Sequence, residues 1–167
     1  MEGKWFYGDK VITEQDVIRF IDSKNKLFCG NCKTIVGTDS HYMKHHVKFV
    51  TVVCVYNIGY GGDFCWLSYY LPKEQFTNIS YVKEKTKYNN RLRIFHEVSK
   101  SIEVADWIYD NTGVISDIHI DVSKQGKANF TSSVAAEVVS YASSFGFTAF
   151  LKPDSFVASV IADRYTK

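Results

Sequence analysis

Four acidic residues in this chain stand where carboxylates could do chemistry. The stretch Lys33-Thr-Ile-Val-Gly-Thr-Asp-Ser40 reads as a buried strand that ends on Asp39. Glu97 falls in one helical row with Ile94, Ser101, Val104 and Ile108. In Asp117-Ile-His-Ile-Asp-Val122 the alternation puts Ile118, Ile120 and Val122 on one side of a strand and His119 and Asp121 on the other. Asp163 shares a row with Phe156, Ser159 and Val160. Carboxylates gathered without cations repel one another and raise each other's pKa, so a metal ion is their natural partner. Mg²⁺ and Mn²⁺ take carboxylate oxygens and leave positions for phosphate oxygens. Two such ions about 4 Å apart can steady both the attacking and the leaving oxygen of an in-line displacement. The chemistry this points to is phosphodiester hydrolysis.

Three of the carboxylates also have a plainer role open to them. Asp39 could close a turn through its own backbone. Glu97 could pair with Arg93 four residues earlier. Asp163 could pair with Arg164 or Lys167, and Asp154 competes with it for the fourth position. Candidate substrate contacts are Ser40 and His41 beside Asp39, Lys152 at the end of the last strand, and Arg91. Arg91 belongs to a local basic run, Lys83, Lys85, Lys87, Arg91 and Arg93, interleaved with Tyr81 and Tyr88. Basic residues mixed with aromatics suit the backbone and bases of single strands, although such a run is more often a solvated face. His41, His45 and His46 match no standard zinc spacing, and His96, next to Glu97, reads as packing. Gly59, Gly61 and Gly62 precede no helix and read as a hairpin turn. Cys29-Gly-Asn-Cys32 lacks the second pair of a zinc ribbon, so the four cysteines read as reduced structural thiols, with a redox pair or a zinc site at Cys29 and Cys32 as the lesser alternative.

The elements that must hold these residues are set by pattern. Thr13-Glu-Gln-Asp16 has the form of a capping box and opens a helix over about 14–23. Trp5, Phe6 and Tyr7 before it look exposed. Strands come next at about 33–39, 47–56 and 64–71, joined closely enough to form an antiparallel meander. Residues 72–90 are a polar link. A helix at about 91–110 stops at Gly113, then come a strand at 117–122, a helix at about 133–145 capped by Thr131, Ser132 or Ser133, a strand at 147–151, and a helix from Asp154 or Ser155 to about Asp163. A right-handed crossover from the third strand lays the fourth parallel to the first. The expectation is an α/β fold: a mixed five-stranded sheet, order 3-2-1-4-5, flanked by helices. An N-terminal extension with a short helix (1–30) precedes the main domain (31–167). Asp39 and Asp121 then end neighbouring parallel strands at their carboxyl ends, where ligand sites of open α/β sheets sit.

Composition sets bounds on this. A chain of 167 residues with 46% hydrophobic and 23% charged residues can fill one domain core. A net charge of +2 is too small to argue for nucleic acid by itself. No apolar run reaches the roughly 18 residues of a membrane helix, and the N-terminus lacks a signal-peptide core, so a cytoplasmic protein with no membrane partner is expected.

Val36-Gly-Thr-Asp-Ser40, Ile118-His-Ile-Asp121, Lys152-Pro153 and Ala162-Asp163 resemble the YkuK-like family of bacteria and phages, which has the ribonuclease H-like fold shared by ribonuclease H, RuvC-type resolvases and integrases. The resemblance covers about residues 33–166. It implies that Asp39, Glu97, Asp121 and Asp163 hold one or two Mg²⁺ or Mn²⁺ ions and act as the catalytic carboxylates of a metal-dependent nuclease. The partner implied is nucleic acid: RNA, an RNA–DNA hybrid or DNA. A homodimer is required if a branched DNA is cut symmetrically. The alternative is a binding module that keeps the fold without turnover, acting on nucleic acid or protein.

Overall fold

A computed structural model describes residues 1–28, 31–77, 85–123 and 129–167. The centre is a mixed sheet in the order β2-β1-β5-β4-β3-β6-β7. Its strands are β1 (Lys4–Tyr7), β2 (Lys10–Ile12), β3 (Cys32–Tyr42), β4 (His46–Asn57), β5 (Gly61–Pro72), β6 (Ser116–Ser123) and β7 (Ala149–Lys152). The sheet thus has seven strands where five were expected, and its order differs by the hairpin β1–β2 on the β5 edge. Trp5, which looked exposed in sequence, is buried there and stacks on Trp107. Three residues of β1 pair with β5, Lys4 with Ser68, Trp5 with Leu67 and Phe6 with Trp66.

β3, β4 and β5 form the antiparallel meander, and β3 runs to Tyr42, three residues past Asp39. His41 and Tyr42, expected in a connection, still pair with Lys48 and Val47 of β4. β6 lies parallel to β3, and β7 parallel to β6. The crossovers are α3 (Lys85–Thr112) and α4 (Asn129–Ser144). α4 starts before Thr131, so the residues expected to cap it lie inside the helix. α1 (Glu14–Leu27) opens on the capping box: Asp16 N–H donates to Thr13 Oγ1, and Thr13 N–H donates to Asp16 Oδ2. α2 (Glu74–Thr77) interrupts the link expected over 72–90.

The two faces of the sheet are covered differently. The core that includes Val36, Phe49, Leu67, Val104, Ile108, Ile118 and Ile120 packs under α1, α3 and α4. The opposite face carries a smaller cluster of Ile35, Val50, Val52 and Cys54 under the C-terminal helix. That helix is π-helical over Val157–Ala162 and α-helical over Asp163–Thr166. It lies so close to β3 that a Cβ on Gly37 would sit 2.8 Å from the Ala158 nitrogen. Glycine is required there by the approach of two backbones. His96 packs against Phe49, Tyr69 and Phe76, in line with its expected role. Cys32, Cys54 and Cys65 are free thiols; Cys29 lies outside the described residues. Among the described residues no helix is long and apolar enough to cross a membrane.

Candidate functional site

Parallel pairing of β3 and β6 ends at Thr38 with Ile120, and the next residue on each strand is Asp39 and Asp121. Neighbouring strands run about 4.8 Å apart, so the backbones of these two residues lie close, and Asp39 feels the Asp121 charge. Pairing of β6 with β7 slips at this point: Ile120 faces Leu151 and Ser123 faces Lys152, which leaves Asp121 and Val122 in a bulge. Such bulges turn a side chain out of the regular pleat, often beside a functional site.

Asp39 is 7% exposed and accepts a hydrogen bond from Thr166 Oγ1 at 3.0 Å. Burial pushes its carboxyl above the usual range and the nearby Asp121 charge adds to that, while Thr166, the Ser40 N–H and Arg93 pull the other way. Asp121 Oδ1 forms an ion pair with Lys152 Nζ at 2.5 Å.

Glu97 reaches the same region from α3. It is 4% exposed, and its Oε1 accepts hydrogen bonds from Ser40 Oγ at 2.6 Å and from Arg93 at 2.8 Å. Arg93 also donates to the Ser40 carbonyl oxygen and hydroxyl. Burial pushes the Glu97 carboxyl up to about 8; Arg93 opposes this, and the charges of Asp39 and Asp121 add to it. Each of the three carboxylates therefore feels the charge of at least one other.

Asp163 has a cation of its own, four residues on. It is partly exposed and bonded to Lys167 Nζ at 2.6 Å, while its backbone carbonyl accepts from Thr166. Asp163 raises the Lys167 ammonium most, desolvation opposes it, and the charges of Asp39 and Asp121 add to the rise. Among the described residues no group of three or more His, Cys, Asp or Glu side chains stands closed around a cation position. The donors still suit a hard divalent ion. All are carboxylate oxygens, and two carboxyls are held above their ordinary range, as carboxylates that gain from an added cation are. Three cations, Arg93, Lys152 and Lys167, now balance that charge.

The other sequence candidates separate. Lys152 is at the site, and Ser40 is too, as a buried link between Arg93 and Glu97 rather than an open contact. His41 is exposed on β3, two residues past Asp39. Arg91 is bonded to Glu137 on α4. Tyr81 and Lys83, and the side chains of Lys85, Lys87 and Tyr88, lie outside the described residues. Thr166 was missed in the sequence, since a hydroxyl one residue from a chain end gives no pattern. Arg93 was visible only through its spacing to Glu97. His119 was underread: it is buried between Phe150 and Phe156 and accepts the Val157 N–H on Nδ1, and burial pushes it down to about 4. A neutral ring thus docks the start of the C-terminal helix onto β6.

Comparison with known proteins gives two matches. The family described as Ribonuclease H-like matches residues 13–167. The uncharacterized protein YkuK of Bacillus subtilis (strain 168) is 25% identical over 136 residues, covering 79% of this chain and 77% of that protein. No solved structure matches significantly.

Proposed function

The chain belongs to the ribonuclease H-like family, and on that premise we propose that it is a divalent-metal-dependent nuclease that hydrolyses phosphodiester bonds of nucleic acid. The observation that carries this reading is the adjacency of Asp39 and Asp121 at the carboxyl ends of neighbouring parallel strands, with buried Glu97 in electrostatic contact with both. Asp39 and Asp121 would hold one or two Mg²⁺ or Mn²⁺ ions, with Glu97 completing the set and Asp163 joining if Lys167 releases it. The ion would supply Lewis-acid polarisation of the phosphodiester and a lowered pKa for the attacking water.

The protein's own side chains do the rest. Arg93 fixes Glu97 and Ser40 in one network, so the Glu97 carboxyl is placed before any ligand arrives. The raised Glu97 carboxyl favours a proton near neutral pH, so a cation held there would be bound with release of that proton. Lys152, paired with Asp121 and partly exposed, could serve a phosphate oxygen if a metal took its place on Asp121.

A second reading rests on a specific observation. Each carboxylate already has a cation or hydroxyl partner, and among the described residues no three metal-ligating side chains close around an ion. That suits a member of the family that binds nucleic acid or protein without cutting. Incubation of the purified protein with labelled RNA, RNA–DNA hybrid, single-stranded DNA and branched DNA, in Mn²⁺ or Mg²⁺, separates the two. Cleavage lost in both Asp39→Asn and Asp121→Asn supports the nuclease. Cleavage that survives in both, or never occurs, removes it.

A further inference from the structure

We propose that the open face of β3, β4 and β5, beside Asp39, is a platform for single-stranded nucleic acid, with Tyr70 as its stacking surface and Lys48, His41 and Lys4 as its phosphate contacts. This rests on the nuclease reading only in naming the strand that the carboxylates would cut; the platform is argued from the sheet itself.

Strand register defines it. Asp39 pairs with Val50 and Val50 with Ser68, which in turn pairs with Lys4. These four form one row across the sheet, on the face that carries the C-terminal helix. The helix covers the β4 end of the row, where Val50 is fully buried, and Tyr165 stacks on Trp66 one step back along β5. Two residues further along β3, the next row on this face is His41, Lys48 and Tyr70, paired in that order. Two residues of strand advance about 6.8 Å. This row is more open: His41 is exposed, Tyr70 is 54% exposed, and Lys48 between them is half-buried.

The chemistry of the surface is that of a single-strand site. The Tyr70 ring has His46 edge-on at 5.6 Å between centroids, which fixes its plane and leaves a face free. Burial pushes the Lys48 ammonium below its ordinary range, so it gains from an added anion. Beside Tyr70 a groove of about 590 Å³ runs to Lys4 and Phe6, with Ser68 on its floor. Glu2 is the one acidic residue lining that groove. A base stacks on any aromatic face whatever its identity, and lysines along the track meet the backbone. A rigid duplex cannot lay one base on a ring in a sheet, whereas an unpaired base can. The surface therefore presents single strands to Asp39 from the sheet side. It also replaces the basic run of α3, whose Arg91 and Arg93 are engaged with Glu137 and Glu97.

The test is fluorescence anisotropy of labelled oligo(dT) and oligo(U), with a duplex of equal length as comparison, at low salt and in EDTA so that no cleavage occurs. Single strands bind the wild type more tightly than the duplex. Tyr70→Ala weakens single-strand binding about 5- to 100-fold, the range for one lost stacking contact. Lys48→Gln weakens it and lowers the slope of log affinity against log salt by about one. Tyr109→Ala, an exposed tyrosine on α3, serves as the surface control and leaves affinity unchanged. Circular dichroism confirms that each variant folds. Wild-type affinity in both Tyr70→Ala and Lys48→Gln, or no single-strand binding by the wild type, overturns the platform. Binding with these losses but no cleavage in Mn²⁺ removes the nuclease reading and leaves the platform standing.

Discussion

Thr166 Oγ1 donates a hydrogen bond to Asp39 Oδ2 across 127 residues of chain. It ties the C-terminal helix to the strand that carries the central carboxylate. The same hydroxyl lies 2.9 Å from the Asp163 carbonyl oxygen, so the tie also fixes the last helical turn. Removing it leaves a buried carboxylate short of a donor. Thr166→Val is expected to lower stability by about 1–2 kcal/mol, and Thr166→Ser to restore most of it. Urea unfolding of the two variants beside wild type measures this, and equal midpoints for all three would contradict it.

Stability should depend on pH through Glu97. Its carboxyl is pushed up to about 8 in the fold, from an ordinary value of 4.5. The folded state therefore keeps a proton that the unfolded chain releases, and stability is fully present below about 4.5 and falls as pH rises through about 8. Asp39, also raised, adds in the same direction. The urea midpoint should drop steadily from pH 5 to pH 8.5, and Glu97→Gln should flatten that slope. A midpoint that rises over this window would show Glu97 to be ionised and satisfied in the fold.

Gly37 sets how closely the C-terminal helix can lie on β3. A methyl group there would meet the Ala158 backbone nitrogen at 2.8 Å, and backbone cannot turn aside as a side chain can. Gly37→Ala should cost about 1–3 kcal/mol, the range for an overpacked contact. Because Thr166 rides on the same helix, this variant should also weaken Mn²⁺ binding, measured by isothermal titration calorimetry.

Lys152 competes with any cation for Asp121. Lys152→Met removes that competitor, and Mn²⁺ affinity should rise about fivefold, the worth of a partly exposed ion pair near 1 kcal/mol. Turnover should fall in the same variant if the ammonium also serves the phosphate. Unchanged or weaker Mn²⁺ binding in Lys152→Met would place the ion away from Asp121.

The legible parts of this molecule were those that leave a period in the chain. Alternation around Asp121 and the apolar run before Asp39 marked two strands, and the parallel pairing of those strands ends just before the two carboxylates, although β3 itself runs on to Tyr42. The row of Glu97 on α3 marked its buried side, although spacing could not decide between Arg93 and a metal as its partner; the fold supplies Arg93 and Ser40. The hairpin β1–β2 was hidden because strands of four and three residues are too short to show alternation. For Asp163 the spacing left Lys167 and a metal both open as partners, and the fold supplies Lys167 four residues on. The row of His41, Lys48 and Tyr70 could not be read at all, because it exists only through register between three strands.

The central claim is that Asp39 and Asp121 share a divalent cation. Anomalous diffraction from crystals soaked in Mn²⁺ addresses it directly. The expected result is a manganese peak bound by both carboxylates, with Lys152 Nζ moved off Asp121 Oδ1 and the peak lost in Asp39→Asn. Saturating Mn²⁺ with no peak between those two side chains, and Lys152 still in place, would contradict it.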